Sequence, residues 1–310
     1  MPIPYMGSKR KSAHKIYATI KAQNPNADTI VDLFAGGFAI GEIFMQNDWT
    51  VIANDKNKYV MELLREAIDG RFNDRVFTPE FITRDMFNDI ITNTEKYDDW
   101  YVGYVACIWS FGNNNKGYLF GKESEPIKKA GHELVINSDP TLINKLLPQI
   151  PKHYIEGILK QSDWHKRRLA LNRVSKAMKT RVYELQRLQQ LEQLQRLERL
   201  QQLEQLQRLI ITRIDYNRVK IPKGAIVYCD PPYDGTAEYV EGGFNHKEFW
   251  QWARGTAKTN PIYISEYKAP VDFAVLRSWP QKSTLQGGVQ THLRQPDECL
   301  FTYREKLEDN

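Results

Sequence analysis

The run Ala225-Ile226-Val227-Tyr228 followed by Cys229 and then Asp230-Pro231-Pro232-Tyr233 constrains this chain more than any other stretch. Its apolar part reads as a buried strand. The strand must stop there, because two consecutive prolines have fixed φ and no amide donors, which forces an extended turn. Such a turn aims a carboxylate, a backbone carbonyl and an aromatic ring at one point. This arrangement suits a flat molecule with an exocyclic amine: Asp230 and the Pro231 carbonyl accept the two amine hydrogens, and Tyr233 stacks on the ring. The same four residues also fit an ordinary surface turn, so the surrounding sequence has to discriminate.

Upstream, Thr29-Ile30-Val31-Asp32-Leu33-Phe34 reads as a β-branched strand that feeds the turn Ala35-Gly36-Gly37 and a helix. Glycines at that point let a ligand approach backbone amides closely. The spacing is not the dinucleotide Gly-x-Gly-x-x-Gly pattern, so a pyrophosphate is not indicated. Asp55 ends a second predicted strand, Thr50-Val51-Ile52-Ala53-Asn54. An acid at that tip of a doubly wound sheet is placed to bind two ribose hydroxyls. A packing turn with a capping Asp is the alternative. A helix is predicted over 58–68. The N-terminal loop Pro4-Tyr5-Met6-Gly7-Ser8-Lys9-Arg10-Lys11 is predicted to lead into a helix through about residue 20, with Ser8 as its cap, and Lys9 there suits a carboxylate.

The middle of the chain has a different composition. Residues 100–110 are aromatic and apolar, a predicted buried helix. They lead into a polar loop holding Asn113, Asn114, Asn115 and Lys116, where lysines and aromatics suit phosphates and bases. Over 160–181, Lys160, Lys166, Arg167, Arg168, Arg173, Lys176, Lys179 and Arg181 stand against one acid, Asp163. Several fall three or four apart, a basic helical stripe of the kind that contacts phosphates. Leucine then recurs at every third position over 185–209, separated by Gln, Glu and Arg alone. Propensity predicts a helix. A step of three drifts back about 60° per leucine on an α-helix, so no single face can bury them all. Either the helix has partners on several sides or part of the segment is not α-helical. The expected role is a low-complexity spacer.

Composition excludes several classes. Three cysteines lie far apart in 310 residues, which argues against a disulfide framework or a zinc site, and the six histidines have no metal spacing. No metal is expected. No run is long and apolar enough for a membrane span and no signal segment is seen, so a soluble, cytoplasmic protein is expected. The net charge of +5 leans toward anionic partners only where it is clustered.

Past the repeat, 210–216 alternates and reads as a strand carrying Tyr216. A helix rich in aromatics follows Gly242-Gly243-Phe244-Asn245-His246. Pro261-Ile262-Tyr263-Ile264-Ser265-Glu266-Tyr267 reads as a strand, and Asp297-Glu298-Cys299-Leu300-Phe301-Thr302-Tyr303 as the last strand, at an edge. Taken together, these segments resemble the D12-class, Dam-like DNA adenine-N6 methyltransferases, the phage-type members most of all. The resemblance covers the N-terminal loop, both early strands, the asparagine loop and the chain from about residue 210; the basic helix and the repeat match no motif of the family.

The resemblance implies an α/β fold with a doubly wound mixed sheet and a helical insertion as target-recognition region. It implies a discontinuous catalytic domain over 1–95 and 210–310, with the insertion at 96–209. S-adenosylmethionine is the implied cofactor, held by Tyr5, Lys9, Phe34, Ala35, Gly36, Gly37, Asp55, Tyr216 and Asp230. Asp230, Pro231, Pro232 and Tyr233 are the implied catalytic residues. Double-stranded DNA is the implied partner, contacted by Asn113, Asn114, Asn115, Lys116, Lys166, Arg167, Arg168 and Arg173. Methylation of RNA or of a protein amide, and a non-catalytic DNA-binding role, are the alternatives. The turn departs from the family in reading Ala-Gly-Gly rather than a spaced glycine pair.

Overall fold

The structure, a computed structural model, describes residues 3–73, 77–178, 185, 188–201, 206–233, 244–279 and 297–304. Lys179, Arg181, Leu203, Gly242 and Gly243, which entered the sequence reading, lie outside the described residues. The chain forms two compact units, one of Met1–Gly7 with Glu62–Gln202 and one of Ser8–Met61 with Leu203–Asn310. In chain order the strands are β1 (Thr29–Asp32), β2 (Thr50–Asn54), β3 (Leu209–Thr212), β4 (Ile226–Cys229), β5 (Ile262–Glu266), β6 (Phe273–Trp279) and β7 (Glu298–Tyr303). The α-helices are α1 (Ala13–Gln23), α2 (Ala39–Met45), α3 (Lys58–Ile68), α4 (Arg84–Thr92), α5 (Asp99–Ile108), α6 (Glu125–Ile136), α7 (Thr141–Leu146), α8 (Lys152–Leu159), α9 (Trp164–Ala177), α10 (Gln189–Leu200) and α11 (His246–Ala257).

All seven strands join one sheet, in the order β3-β2-β1-β4-β5-β7-β6. β1, β2, β3, β4 and β5 pair in parallel, and β7 runs antiparallel to both β5 and β6. The central strands β1 and β4 are buried along their length apart from the half-buried Thr29, as expected of parallel strands covered on both faces. Asn54, 1% exposed, stitches three strands at the sheet's carboxyl edge. Its amide donates to the Leu33 carbonyl (3.1 Å) and the Ile214 carbonyl (3.0 Å). Its oxygen accepts from Thr212 Oγ1 (2.8 Å) and the Ile214 amide (3.1 Å).

The turn after β1 is held by local sterics. Gly36 and Phe38 both have φ in the left-handed region, 45° and 65°. A Cβ on Gly41 would stand 2.1 Å from the Phe38 ring, so α2 can pass the turn only with glycine there. Ser8 makes no side-chain cap; a short 3-10 turn, Lys9–Lys11, precedes α1 instead. The strand expected over 210–216 is β3, which ends at Thr212, and Tyr216 sits in a 3-10 turn, Tyr216–Arg218. The last strand is not an edge strand. β7 lies between β5 and β6, because a strand missed in the sequence, Phe273–Trp279, forms the edge. Its alternation is broken by a register shift between Val275 and Arg277, which hides the two-residue period.

In the first unit the described leucines of the repeat are core. Leu185, Leu188, Leu191, Leu194, Leu197 and Leu200 are all buried, and so are Gln190 and Gln193. α10 is therefore covered on several sides, as a period of three requires. The ten residues 188–197 recur unchanged at 200–209. The first copy is helical, whereas the second ends in a 3-10 turn, Leu206–Arg208, and its last leucine opens β3. No helix among the described residues is long and apolar enough to cross a membrane.

Candidate active site

The carboxyl edge of the sheet collects acids. Asp32 ends β1, Asp55 follows β2, Asp230 follows β4 and Glu266 ends β5. β7 runs the other way, so its first residue, Glu298, arrives at the same edge. Ligands of doubly wound sheets bind outside this edge.

One buried lysine stands among these acids. Lys9 Nζ lies 2.9 Å from Asp230 Oδ1 and 3.1 Å from Glu298 Oε1, and donates to the Tyr233 hydroxyl at 2.5 Å. Tyr233 donates in turn to Glu298 Oε1 at 3.1 Å. The Lys9 ammonium sits 4.7 Å from the Tyr233 ring centre, and Tyr267 meets that ring edge-on at 4.6 Å. Burial opposes the charge on Lys9, but Asp230 and Glu298 raise its pKa overall. Burial pushes the Asp230 carboxyl up; Lys9 pulls it down, Glu298 raises it further, and it comes to about 6. Burial also raises the Tyr233 hydroxyl, so it remains a neutral donor.

Asp32 is 1% exposed, and its Oδ1 has no hydrogen-bond partner among the described residues. Burial, then Asp230, then Asp55 raise its pKa well above the usual range. A buried, unmatched carboxylate oxygen is costly unless something cationic meets it. Asp55 accepts from the Gly36 amide (2.9 Å) and the Asn57 amide (2.9 Å). Burial raises its pKa, and those two amide bonds lower it. The Asp55 carboxylate thus braces the glycine turn, and each oxygen keeps a further lone pair for a donor.

The Phe34 and Tyr216 rings pack against each other, with centres 5.4 Å apart and planes at 31°. Phe249 and Trp252 of α11 back Tyr216 at 5.6 and 5.0 Å. Lys9, Phe34, Ala35, Gly36, Gly37, Asp55, Tyr216, Asp230, Pro231, Pro232 and Tyr233 therefore all belong to the sheet unit and cluster at or beside its carboxyl edge. Tyr5 falls in the other unit. Sequence reasoning missed Asp32 and Glu298 as site residues. Asp32 stood in the strand reading without a role. Glu298 carried no local signal beyond an acid at a strand start.

The basic helix does not present all its cations to solvent. Arg168, 7% exposed, donates to Glu192 Oε1 (3.2 Å) and Gln195 Oε1 (2.8 Å) of α10. Arg167 donates to the carbonyls of Val135, Ile136 and Gln161, closing the carboxyl end of α6. Both have intramolecular partners, and Arg168 is buried. Lys166, Arg173 and Lys176 are exposed, with Leu169 beside them, and the spacing 166, 169, 173, 176 puts them on one face. The asparagine loop is largely self-bonded. Asn113 donates to the Cys107 carbonyl (2.6 Å), and Asn114 Oδ1 accepts from the Lys116 and Gly117 amides. Asn113 and Asn115 take left-handed φ, which asparagine tolerates better than most residues. Phe111 and Lys116 are exposed on this loop. Among the described residues no group of His, Cys, Asp and Glu is arranged to hold a metal ion.

A mixed seven-stranded sheet of this order, with acids and a glycine turn along its carboxyl edge, is the fold of methyltransferases that use S-adenosylmethionine. Residues 5–153, a little under half of the chain, match the family model described as D12 class N6 adenine-specific DNA methyltransferase. Over those residues the chain is similar to that family, whose members are described as adenine-specific DNA methyltransferases. The match stops short of Asp230–Tyr233. No curated protein matches the chain.

Proposed function

We propose that the sheet unit binds S-adenosylmethionine along its carboxyl edge and transfers the methyl group to the N6 amine of an adenine turned out of duplex DNA. The observation that carries this reading is the buried cluster of Lys9, Asp230, Tyr233 and Glu298 beside the orphaned carboxylate oxygen of Asp32. The donor set fits the cofactor, which bears an ammonium and a sulfonium. Asp32 is the acid best placed for a cationic group, Asp55 for ribose hydroxyls, and the Phe34–Tyr216 pair for the adenine ring. When bound, S-adenosylmethionine supplies an electrophilic methyl group.

The chain's own residues do the rest. The adenine amine is a weak nucleophile because its lone pair is delocalised into the ring. Asp230 and the Pro231 carbonyl accept its two N–H bonds, which favours a tetrahedral nitrogen and stabilises the charge that develops there. With a pKa of about 6, Asp230 is mostly ionised at neutral pH, as an acceptor must be. Tyr233, anchored by its hydroxyl, offers a ring for stacking. The adenine must leave the helix first, since its amine is otherwise paired; unstacking costs a few kcal/mol, offset by stacking and phosphate contacts.

Incubation with isotopically labelled S-adenosylmethionine and DNA, RNA or protein, followed by nucleoside digestion, tests the reading. Label is expected in N6-methyladenine from duplex DNA; label confined to RNA or protein overturns it. The exposed face of α9, with Lys116 of the asparagine loop, is the expected phosphate contact. Charge reversal at Lys166, Arg173 and Lys176 together should flatten the slope of log affinity against log salt by about 2 to 3. An unchanged slope would place the DNA elsewhere. Reversal at Arg168 should instead destabilise the first unit, because it places a negative charge at a buried position beside Glu192.

A further inference from the structure

We propose that Glu298 is a positioning residue for the transfer site, resting on the reading above: it shares Lys9 with Asp230 and anchors Tyr233, so that the Asp230 carboxylate stays aimed and available for the substrate amine.

The argument starts from Lys9. A buried ammonium has three N–H bonds and needs a partner for each. Lys9 donates to the Tyr233 hydroxyl and is ion-paired with both Asp230 and Glu298. Without Glu298, the whole positive charge falls to Asp230. A carboxylate gripped by a buried lysine is a poorer acceptor, and its oxygens turn toward the ammonium rather than outward. Glu298 also receives the Tyr233 hydroxyl, at the same Oε1 atom that faces Lys9. One oxygen thus fixes both the lysine that restrains Asp230 and the ring expected to stack on the target base. The side chain is 4% exposed, so this geometry is held by packing. The first position of β7 suits this role, because antiparallel pairing with β5 brings it to the edge where Asp230 lies.

The groups facing Asp230 are Lys9 from the N-terminal turn, Asp32 from β1, Tyr228 and Cys229 from β4, Tyr233 beyond it, Tyr267 beyond β5, and Glu298 from β7. Lys9 draws the Asp230 pKa down, and Glu298 pushes it up. Loss of the Glu298 charge therefore has a signed consequence: Asp230 titrates at lower pH.

Glu298→Gln keeps the size and an oxygen for Tyr233 while removing the charge. In wild-type protein the acidic limb of kcat/KM is expected near pH 6, with activity rising as Asp230 ionises. In Glu298→Gln the limb should move down by about one pH unit while kcat falls roughly tenfold. Duplex DNA affinity should stay within about twofold. Glu298→Asp keeps the charge but shortens the reach, so it should restore the limb and not the full rate. A merely structural role would change stability and leave the limb in place; an unmoved limb with wild-type kcat overturns the inference. The Asp230 carboxyl can also be titrated directly by carbon NMR in wild type and Glu298→Gln, without any turnover. An equal midpoint in the two proteins overturns the inference equally. If wild type transfers no methyl group to DNA, the functional reading fails. If Asp230→Ala is inactive but Glu298→Gln behaves as wild type, the role of Glu298 alone fails.

Discussion

Asp230→Ala is expected to lower kcat/KM for methyl transfer at least a thousandfold, about 4 kcal/mol of transition-state stabilisation. The carboxylate is the proposed charged acceptor for the substrate amine, and its acidic neighbours have other roles. Glu298 is committed to Lys9 and Tyr233, and Asp32, 1% exposed, is the proposed partner of the cofactor's cationic group. The variant should nevertheless fold, because Lys9 keeps Glu298 as counter-ion. The linkage has a definite sign. The native Asp230 carboxyl titrates at about 6, above the 3.8 of a free aspartate side chain, so its ionised form opposes folding above that range. Wild type therefore gains stability from this group as pH falls from about 6 toward 4, and the variant should not. Denaturation curves at about pH 7.5 and about pH 5 should show a smaller pH dependence for Asp230→Ala, with stability at the higher pH no lower than wild type. Activity above a tenth of wild type would remove Asp230 from the centre of the chemistry.

Asn54→Ala should be the most destabilising of the polar substitutions in the sheet unit, at about 3 kcal/mol. The deleted amide makes four bonds, and all four partners are groups at the junction of β1, β2 and the chain leaving β3. Alanine leaves the Leu33 and Ile214 backbone groups without those partners. The effect should extend to ligand binding. Asp55 is the next residue, and Tyr216 follows Ile214 closely, so the proposed ribose and adenine contacts both lose their support. Urea denaturation should show the stability loss, and titration with S-adenosylmethionine should show affinity reduced about tenfold. A change under about 0.5 kcal/mol would mean that water replaces the side chain and the junction is not held by it.

Much of the site could be read from local chemistry. The strand that stops at two prolines, the glycine turn after β1 and the acid after β2 are each set by residues close in the chain. The α3 bounds follow from periodicity in the same way. The missing pieces share a cause. Lys9 meets Tyr233 across 224 positions and Tyr233 meets Glu298 across 65. No spacing rule relates residues so far apart. The surroundings of the basic stripe have the same cause: periodicity put Arg167 and Arg168 on a helix, but their intramolecular partners lie on α6 and α10.

The leucine repeat draws the boundary most clearly. Its period of three dictated that no single face could bury the leucines, and α10 is indeed surrounded. Yet the same ten residues are helical at 188–197 and end in a strand at 200–209. Propensity and pattern are identical in the two copies, so neither can be the reason for the difference. The second copy runs into Ile210-Ile211-Thr212, which pairs with β2, and the hydrogen bonds of that ladder outweigh helix propensity of a few tenths of a kcal/mol per residue. Turns, strand ends and helix bounds were thus written in neighbouring residues. Which cations stay wet, which acids meet at the sheet edge and where the repeat stops being a helix were settled by long-range burial and pairing.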